Sequence, residues 1–215
     1  MLRFQRQLFF PEDWLYAFSH DGNMLKNSTA EVSPYDFYFG KDGKADLTHV
    51  GWAKVDGKWF YFDKRGCLKL GFIRDKGKIY YIDLGRGALT GYHVINGLLY
   101  QFDQSGAMIG TVKCNDGWVK KDGAWYYCKN GEFASYGTEK INGKTYFFED
   151  GKLSGEGIHL DEGIYIDVNG VVVKNVWKKV DGNWYYFDND GKKVTGWKTI
   201  NGKLYKFKGD GRLAE

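Results

Sequence analysis

The feature that most constrains this chain is an internal repeat of about 20 residues. Ten aromatic or apolar clusters follow one another at roughly this spacing along the whole sequence. A unit this short cannot bury a core alone, but neighbouring copies can cover one another in a solenoid. No linker or second domain is left between the repeats. We therefore expect a single repeat domain over residues 1–215, with two degenerate hairpins in 1–50 and eight repeats in 51–215.

Each unit has the pattern of a β-hairpin. In the stretch 51–70, the pair Asp56-Gly57 separates two short runs of alternating apolar residues. Such a pair favours a type I′ turn, because both central residues of that turn have positive φ. A two-residue turn at this point fixes the register of the two strands. The predicted cross-strand pairs are Val55 with Lys58, Lys54 with Trp59, Ala53 with Phe60, and Trp52 with Tyr61.

The same turn signal recurs along the chain, and a second turn that ends in glycine follows each cluster. These repeated hairpins predict an all-β protein, an elongated β-solenoid of about ten stacked β-hairpins. The further turn pairs are Asn96-Gly97, Asp122-Gly123, Asn142-Gly143, Asp181-Gly182 and Asn201-Gly202, with Lys76-Gly77 as a weaker copy.

The register gives each hairpin two apolar faces, because side chains alternate between the faces of a strand. Trp52, Trp59 and Tyr61 share one face, while Phe60 and Phe62 share the other. Each face must therefore be covered by a neighbour or contact a ligand. Aromatic residues on the face of Phe60 and Phe62, and at the equivalent positions of other repeats, are predicted to fill the interior. They are Phe60, Phe62, Phe102, Phe148 and Phe187.

Composition excludes several classes of protein. An aromatic content of 18% is incompatible with a disordered chain. The net charge of +4 is too small and too evenly spread to indicate nucleic-acid binding. The longest apolar run, residues 14–18, is far shorter than the roughly 20 residues of a membrane span. The first 20 residues carry acidic and aromatic residues where an export signal would be apolar.

No catalytic or metal-binding constellation is predicted, and no cofactor is expected, so the chain is not expected to be an enzyme. Its four histidines are scattered. Cys67, Cys114 and Cys128 are odd in number and irregular in spacing, which indicates neither a disulfide framework nor a metal site. Cys128 occupies the interior position of the repeat and is predicted to be a small buried apolar residue. The run 188–191 (Asp-Asn-Asp-Gly) resembles the start of a calcium-binding loop but lacks the downstream glutamate ligand, so we predict a connecting turn.

Three segments resemble a known family. GWAKVDGKWFYFDKRG (51–66), GWVKKDGAWYYCKNG (117–131) and WKKVDGNWYYFDNDGKKVTGW (177–197) are similar to the cell-wall-binding repeat of pneumococcal and phage choline-binding modules. The same repeat type occurs in the glucan-binding regions of streptococcal glucansucrases and in the receptor-binding repeats of large clostridial toxins.

The resemblance implies ligand sites between consecutive hairpins. In the choline-binding branch, two aromatic residues of one repeat and one of the next surround the trimethylammonium group, which the negative ring faces attract. At the site of Trp177 and Trp184, the position that corresponds to this third aromatic residue is Lys206, which would repel choline. Tyr205 is therefore the candidate for the third ring there. The residues implied as ligand-binding are Trp52, Trp59 and Tyr81; Trp118, Trp125 and Phe147; and Trp177, Trp184 and Tyr205.

The function implied by the resemblance is a non-catalytic module that binds a cell-wall or surface polymer. Choline on teichoic acid is the first ligand, and a surface glycan is the alternative, as in glucan-binding or toxin repeats. The chain is also compatible with the targeting fragment of a larger lytic enzyme. Expected partners are therefore choline-bearing teichoic acid or a surface glycan, with a homodimer as a further option, and the expected location is extracellular, at the bacterial cell surface.

Overall fold

A computed structural model describes residues 15–32 and 35–214. Every regular element in the described part is a β-strand, so the prediction of an all-β protein is confirmed. None of the described residues forms a helix long and apolar enough to span a membrane. The described chain divides into two compact units, one holding residues 15–32, 35–92 and 100–111 and the other holding residues 93–99 and 112–214.

The first unit contains seven strands, of which six form three antiparallel hairpins, β1–β2, β3–β4 and β5–β6. The short seventh strand pairs with β6. Their bounds are β1 Ser28–Val32, β2 Tyr35–Phe39, β3 Gly51–Val55, β4 Lys58–Phe62, β5 Gly71–Asp75, β6 Lys78–Asp83 and β7 Gly87–Ala88.

Three strands carry residues of both units: β8 Gly91–Ile95, β9 Leu98–Phe102 and β10 Met108–Val112.

The second unit contains five further hairpins, with two short strands added to their edges. The shortest hairpin, β17–β18, has three residues in each strand, and Gly163 lies in its turn. The bounds are β11 Gly117–Lys121, β12 Ala124–Lys129, β13 Glu132–Phe133, β14 Gly137–Ile141, β15 Lys144–Glu149, β16 Lys152–Leu153, β17 Gly157–His159, β18 Ile164–Ile166, β19 Val176–Val180, β20 Asn183–Phe187, β21 Gly196–Ile200 and β22 Lys203–Phe207.

The hairpin register is confirmed pair by pair in β3–β4. At its turn, Asp56 has φ 46° and Gly57 has φ 78°, the left-handed values that a type I′ turn requires. The other predicted turn pairs also have positive φ at both residues. In the hairpins that carry such a pair, short-range turn chemistry therefore sets the register before any tertiary contact is considered.

The two faces of each hairpin differ in burial. We call the face of Trp52 and Tyr61, with its equivalents in other hairpins, the lead face, and the face of Phe60 and Phe62 the interior face. Phe60 and Phe62 are buried together with Val55 and with Ile82 of the next hairpin. The predicted interior aromatics Phe102, Phe148 and Phe187 are likewise buried.

Two degenerate hairpins are predicted for residues 1–50. Residues 1–14, which would contain the first strand of the first degenerate hairpin, lie outside the described residues. The second degenerate hairpin is β1–β2, and its register runs from Ser28 opposite Phe39 to Val32 opposite Tyr35.

Candidate functional site

The hairpin β11–β12 brings two tryptophans together on its lead face. Trp118 lies opposite Tyr127, and Lys120 lies opposite Trp125, so both indoles project from the same side. Their ring centroids are 6.3 Å apart, and the ring planes meet at 85°. Trp125 remains 42% exposed. The pair therefore forms a right-angled apolar corner that is open to solvent.

The next hairpin, β14–β15, supplies a third ring to this corner. The Tyr146 ring lies 5.0 Å from the Trp118 ring, centroid to centroid. Phe148 also stacks on the Trp118 indole, with a centroid distance of 5.8 Å and an interplanar angle of 27°. Trp118, Trp125 and Tyr146 border a cleft of about 270 Å³ that is also lined by Leu153 and Asn169. We call it the aromatic cleft. Its volume is that of roughly nine liquid water molecules, enough for a small headgroup or part of a sugar.

The hairpin β19–β20 repeats this geometry. Trp177 and Trp184 are 6.5 Å apart with planes at 84°. The following hairpin places Tyr205 4.9 Å from Trp177, and Phe207 stacks on the same indole at 5.6 Å and 28°. Two separate hairpin pairs thus build the same arrangement, in which the following hairpin supplies one tyrosine and one stacked phenylalanine to a pair of indoles.

The third predicted pair, in β3–β4, is built differently. Trp52 and Trp59 share the lead face, and Trp59 is 49% exposed. Trp52 packs against Tyr80 of the next hairpin at 4.7 Å, and its indole Nε1 donates a hydrogen bond of 3.1 Å to Asp75. This hydrogen bond fixes the Trp52 ring against the neighbouring hairpin.

Tyr205 lies beside Trp177 as predicted, but at the other two predicted sites the third ring comes from a different residue than expected. Tyr81 packs against Phe72 within its own hairpin, while Tyr80 contacts Trp52. Phe147 is fully buried and contacts Tyr136 and His159 instead of the Trp118–Trp125 pair. The prediction of Tyr81 and Phe147 beside those pairs is therefore corrected.

The physical reason is the way consecutive hairpins pack. The lead face of one hairpin contacts the interior face of the next, and side chains one residue apart in a strand lie on opposite faces. Tyr146 opposes Glu139 on the interior face of β14–β15, whereas Phe147 opposes Thr138 on its lead face. The same rule places Tyr205 beside Trp177 and turns Lys206 away, so that its ammonium lies over Trp197.

Lysine side chains lie over the exposed indoles. The Nζ of Lys120 is 5.3 Å from the Trp125 ring centroid, and the Nζ of Lys179 is 5.9 Å from that of Trp184. Both lysines sit directly across the ladder from the indole they cover. The site therefore offers a cation and hydrogen-bond donors next to each aromatic surface.

A disulfide joins Cys114 to Cys128, with their Cα atoms 5.6 Å apart. The prediction that the cysteines form no disulfide is wrong, although Cys128 does occupy a fully buried interior position. Asp116 lies within 4.8 Å of both sulfurs, but bridged sulfurs are not the thiolates that metals bind. Cys67 is free and buried, and burial raises the pKa of its thiol.

Aspartates cap the second turn of the repeat. The Asp188 Oδ1 atom accepts hydrogen bonds from the backbone N–H groups of Asp190 and Lys192 at 3.0 and 2.9 Å. Asp103 accepts equivalent bonds from Ser105 and Ala107. This use of the carboxylate confirms the interpretation of the run 188–191 as a connecting turn.

Comparison with known families agrees with the geometry. Residues 173–214 match the choline-binding repeat, and residues 50–66 and 116–131 match the putative cell wall binding repeat. The chain therefore contains repeats of the choline-binding, cell-wall-binding family, and the resemblance drawn from its sequence is confirmed. The matched segments include all three tryptophan pairs.

The relatives that align over longer stretches of this chain are much longer proteins. The chain is 36% identical over 192 residues to Glucosyltransferase-S of Streptococcus mutans, an alignment that covers 74% of this chain and 13% of that protein. It is 29% identical over 109 residues to Toxin A of Clostridium novyi, covering 48% of this chain and 5% of the toxin. This chain thus spans about an eighth of the glucosyltransferase and a smaller part of the toxin.

Among solved structures, CbpJ from Streptococcus pneumoniae aligns with 98% of this chain and 88% of its own, at 21% identity and a TM-score of 0.43. Choline binding protein F from the same species aligns with 97% of this chain and 90% of its own, at 23% identity and a TM-score of 0.42.

Proposed function

We propose that this chain is a non-catalytic module that binds a polymer of the bacterial cell surface through its aromatic cleft. The observation that carries the proposal is the corner formed by Trp118, Trp125 and Tyr146. Exposed tryptophan is costly in water unless it meets a partner, and this corner leaves an indole open beside a cleft of about 270 Å³. The repetition of the corner at Trp177 and Trp184 points to a ligand that is itself repetitive.

A quaternary ammonium group is the ligand that this corner fits best. It donates no hydrogen bond, so it needs the negative faces of aromatic rings, and each good contact contributes about 0.5–2 kcal/mol. Two indoles at right angles and a tyrosine provide three such surfaces. The ammonium group of Lys120 would then bind the phosphate that accompanies choline in a teichoic acid, because the two groups carry opposite charges.

A glucan is the second candidate, and two observations favour it. The ammonium groups of Lys120 and Lys179 already lie over the indole faces, where they would repel a second cation. Sugar rings carry no charge, stack on indoles and accept hydrogen bonds from lysine. The relatives that align with most of this chain are also named as glucosyltransferases.

The arrangement of the hairpins into one domain is part of the same proposal. We infer that the hairpins stack as one solenoid repeat domain, which holds several weak sites in fixed positions. A polymer that occupies one site then meets the next at a high effective concentration, so overall affinity exceeds that of either site. Such a module would act outside the cell, at its surface. A homodimer stays a prediction.

The experiment is retention of the purified chain on two matrices. On a quaternary-amine matrix, free choline at millimolar concentration should elute the protein if choline is the ligand. On a dextran matrix, isomalto-oligosaccharide should elute it if a glucan is the ligand. Retention on neither matrix would remove both ligands.

Two tryptophan variants locate the binding. Trp125→Ala should weaken binding of the retained ligand about tenfold per site, since it removes one wall of the aromatic cleft. Trp197→Ala is the matched control, because Trp197 is also exposed but Leu204 takes the place of its partner indole. Equal losses in the two variants would contradict an assignment to the aromatic cleft.

A further inference from the structure

A second cleft lies in the first unit, between the hairpins β1–β2 and β3–β4. Its volume is about 230 Å³, below the roughly 300–1,000 Å³ of pockets for drug-sized molecules. It shares no residue with the aromatic cleft. The residues around it are Asn27, Ser28, Thr29, Tyr38, Val55, Asp56, Lys58, Phe60 and Gly85. We call it the polar cleft.

The charged groups of the polar cleft are arranged with opposite signs. Asp56 accepts a hydrogen bond of 2.6 Å from the hydroxyl of Tyr38, and a carboxylate has room for about three more. Burial, together with this bond to Asp56, raises the pKa of Tyr38, so its hydroxyl stays protonated and keeps donating. Lys58 donates one hydrogen bond of 2.7 Å to the Gly85 carbonyl and has two further donors.

Hydroxyl groups complete the lining. Thr29 Oγ1 donates to the Leu84 carbonyl, which ties the turn at residues 84–85 to the cleft. Ser28 Oγ is shut off from solvent and finds no hydrogen-bond partner among the described residues. A buried hydroxyl without a partner is unusual and calls for an explanation. Ser28 is itself one of the residues that line the cleft.

Charge and shape restrict the class of ligand. A phosphate would meet one lysine but also the Asp56 carboxylate, which repels it. A quaternary ammonium would need open ring faces, whereas Tyr38 and Phe60 are buried. A neutral molecule with several hydroxyls matches a lining that holds a carboxylate, an ammonium and side-chain hydroxyls, because each of its hydroxyls both donates and accepts.

We propose that the polar cleft binds a single sugar residue. The Asp56 carboxylate and the Lys58 ammonium would each bond a sugar hydroxyl, and Val55 and Phe60 would form the apolar floor. This inference goes beyond the proposed function, because it concerns a different cleft and holds whether the aromatic cleft takes choline or a glucan.

The test is a titration of the uniformly ¹⁵N-labelled full chain, monitored by two-dimensional NMR. Methyl α-D-glucopyranoside, methyl β-D-galactopyranoside and N-acetylglucosamine are added separately at millimolar concentration. We expect at least one of them to shift the amide signals of Ser28, Asp56 and Gly85. No shift at these amides with any of the three sugars overturns the proposal. Shifts confined to the signals of Trp118 and Trp125 also overturn it, while leaving the proposed function in place.

A conservative variant pair tests the role of the carboxylate. Asp56→Asn should weaken sugar binding about tenfold, because hydrogen bonds to a charged acceptor are about twice as strong as neutral ones. Asparagine already occupies this turn position, with positive φ, at Asn96 and Asn142, so the hairpin should fold normally. Asp122→Asn, the same change in a turn of the second unit, is the control. Unchanged affinity in Asp56→Asn overturns the proposal.

Discussion

The disulfide between Cys114 and Cys128 should contribute a measurable share of the stability of this protein. The two cysteines are 14 residues apart. Closing a loop of about 15 residues in the unfolded chain corresponds to about 3 kcal/mol in the chain-entropy account. Cys114→Ser removes the bridge and leaves the fully buried Cys128 in place, so interior packing is retained. We therefore expect this variant to lose about 3 kcal/mol of unfolding free energy.

Urea unfolding followed by tryptophan fluorescence, with and without a reductant, measures this contribution. The reductant should destabilise the wild-type chain by about the same amount as Cys114→Ser, and it should leave that variant unchanged. Cys67→Ala is the control, because Cys67 is free and its removal should preserve the response to reductant. A wild-type chain that shows three free thiols and no response to reductant would refute the reasoning.

Two further predictions concern turns and pH. Gly87→Ala should lower the free energy of unfolding by about 1–3 kcal/mol more than Gly202→Ala does. Both glycines have positive φ, but only at Gly87 would the added Cβ lie 2.5 Å from the Trp59 carbonyl oxygen. Equal losses in urea unfolding would contradict that close contact. Hydrogen bonds led by the Ser105 hydroxyl lower the pKa of Asp103, so its contribution to stability is present above about pH 4 and is lost as pH falls through the folded pKa. The melting temperature should therefore decrease as the pH is lowered from about 4, and this decrease should be smaller in Asp103→Ala. Parallel curves of melting temperature against pH in the two proteins would count against the capping role.

The hairpins could be predicted because their determinants are local. The pair Asp56-Gly57 selects its turn type through backbone geometry alone, and the register of β3–β4 follows from that turn. Burial of Phe60 and Phe62 follows from alternation along the strand. The aspartate caps were missed, although a visible signal existed: Asp103 and Asp188 each stand three residues before the glycine of their turn.

The third ring beside Trp52 and the third ring beside Trp118 could not be predicted from the hairpin alone. Tyr80 and Tyr81 are adjacent and chemically equal, so the choice depends on which faces of consecutive hairpins meet. That contact is tertiary, and alternation within one strand carries no information about it. Once the lead face is known to pack on an interior face, the assignment of Tyr146 and Tyr205 follows from the register.

The disulfide was missed for a related reason. Three cysteines at irregular spacing indicate no pairing along the sequence, whereas the bridge depends on an insertion in one repeat. The spacing from Phe102 to Cys128 is 26 residues, longer than in the other units, and Cys114 lies in this longer stretch. The added residues bring Cys114 alongside the interior position of Cys128.

The most direct measurement of the central claim is an NMR titration that observes the indole N–H signals. Choline chloride and isomaltose are added in separate experiments to the full chain. If the paired indoles bind a surface polymer, one of these ligands should shift the signals of Trp118, Trp125, Trp177 and Trp184, while Trp197 stays unchanged. Indole signals that do not move with either ligand, or that move equally at Trp197, would contradict the account.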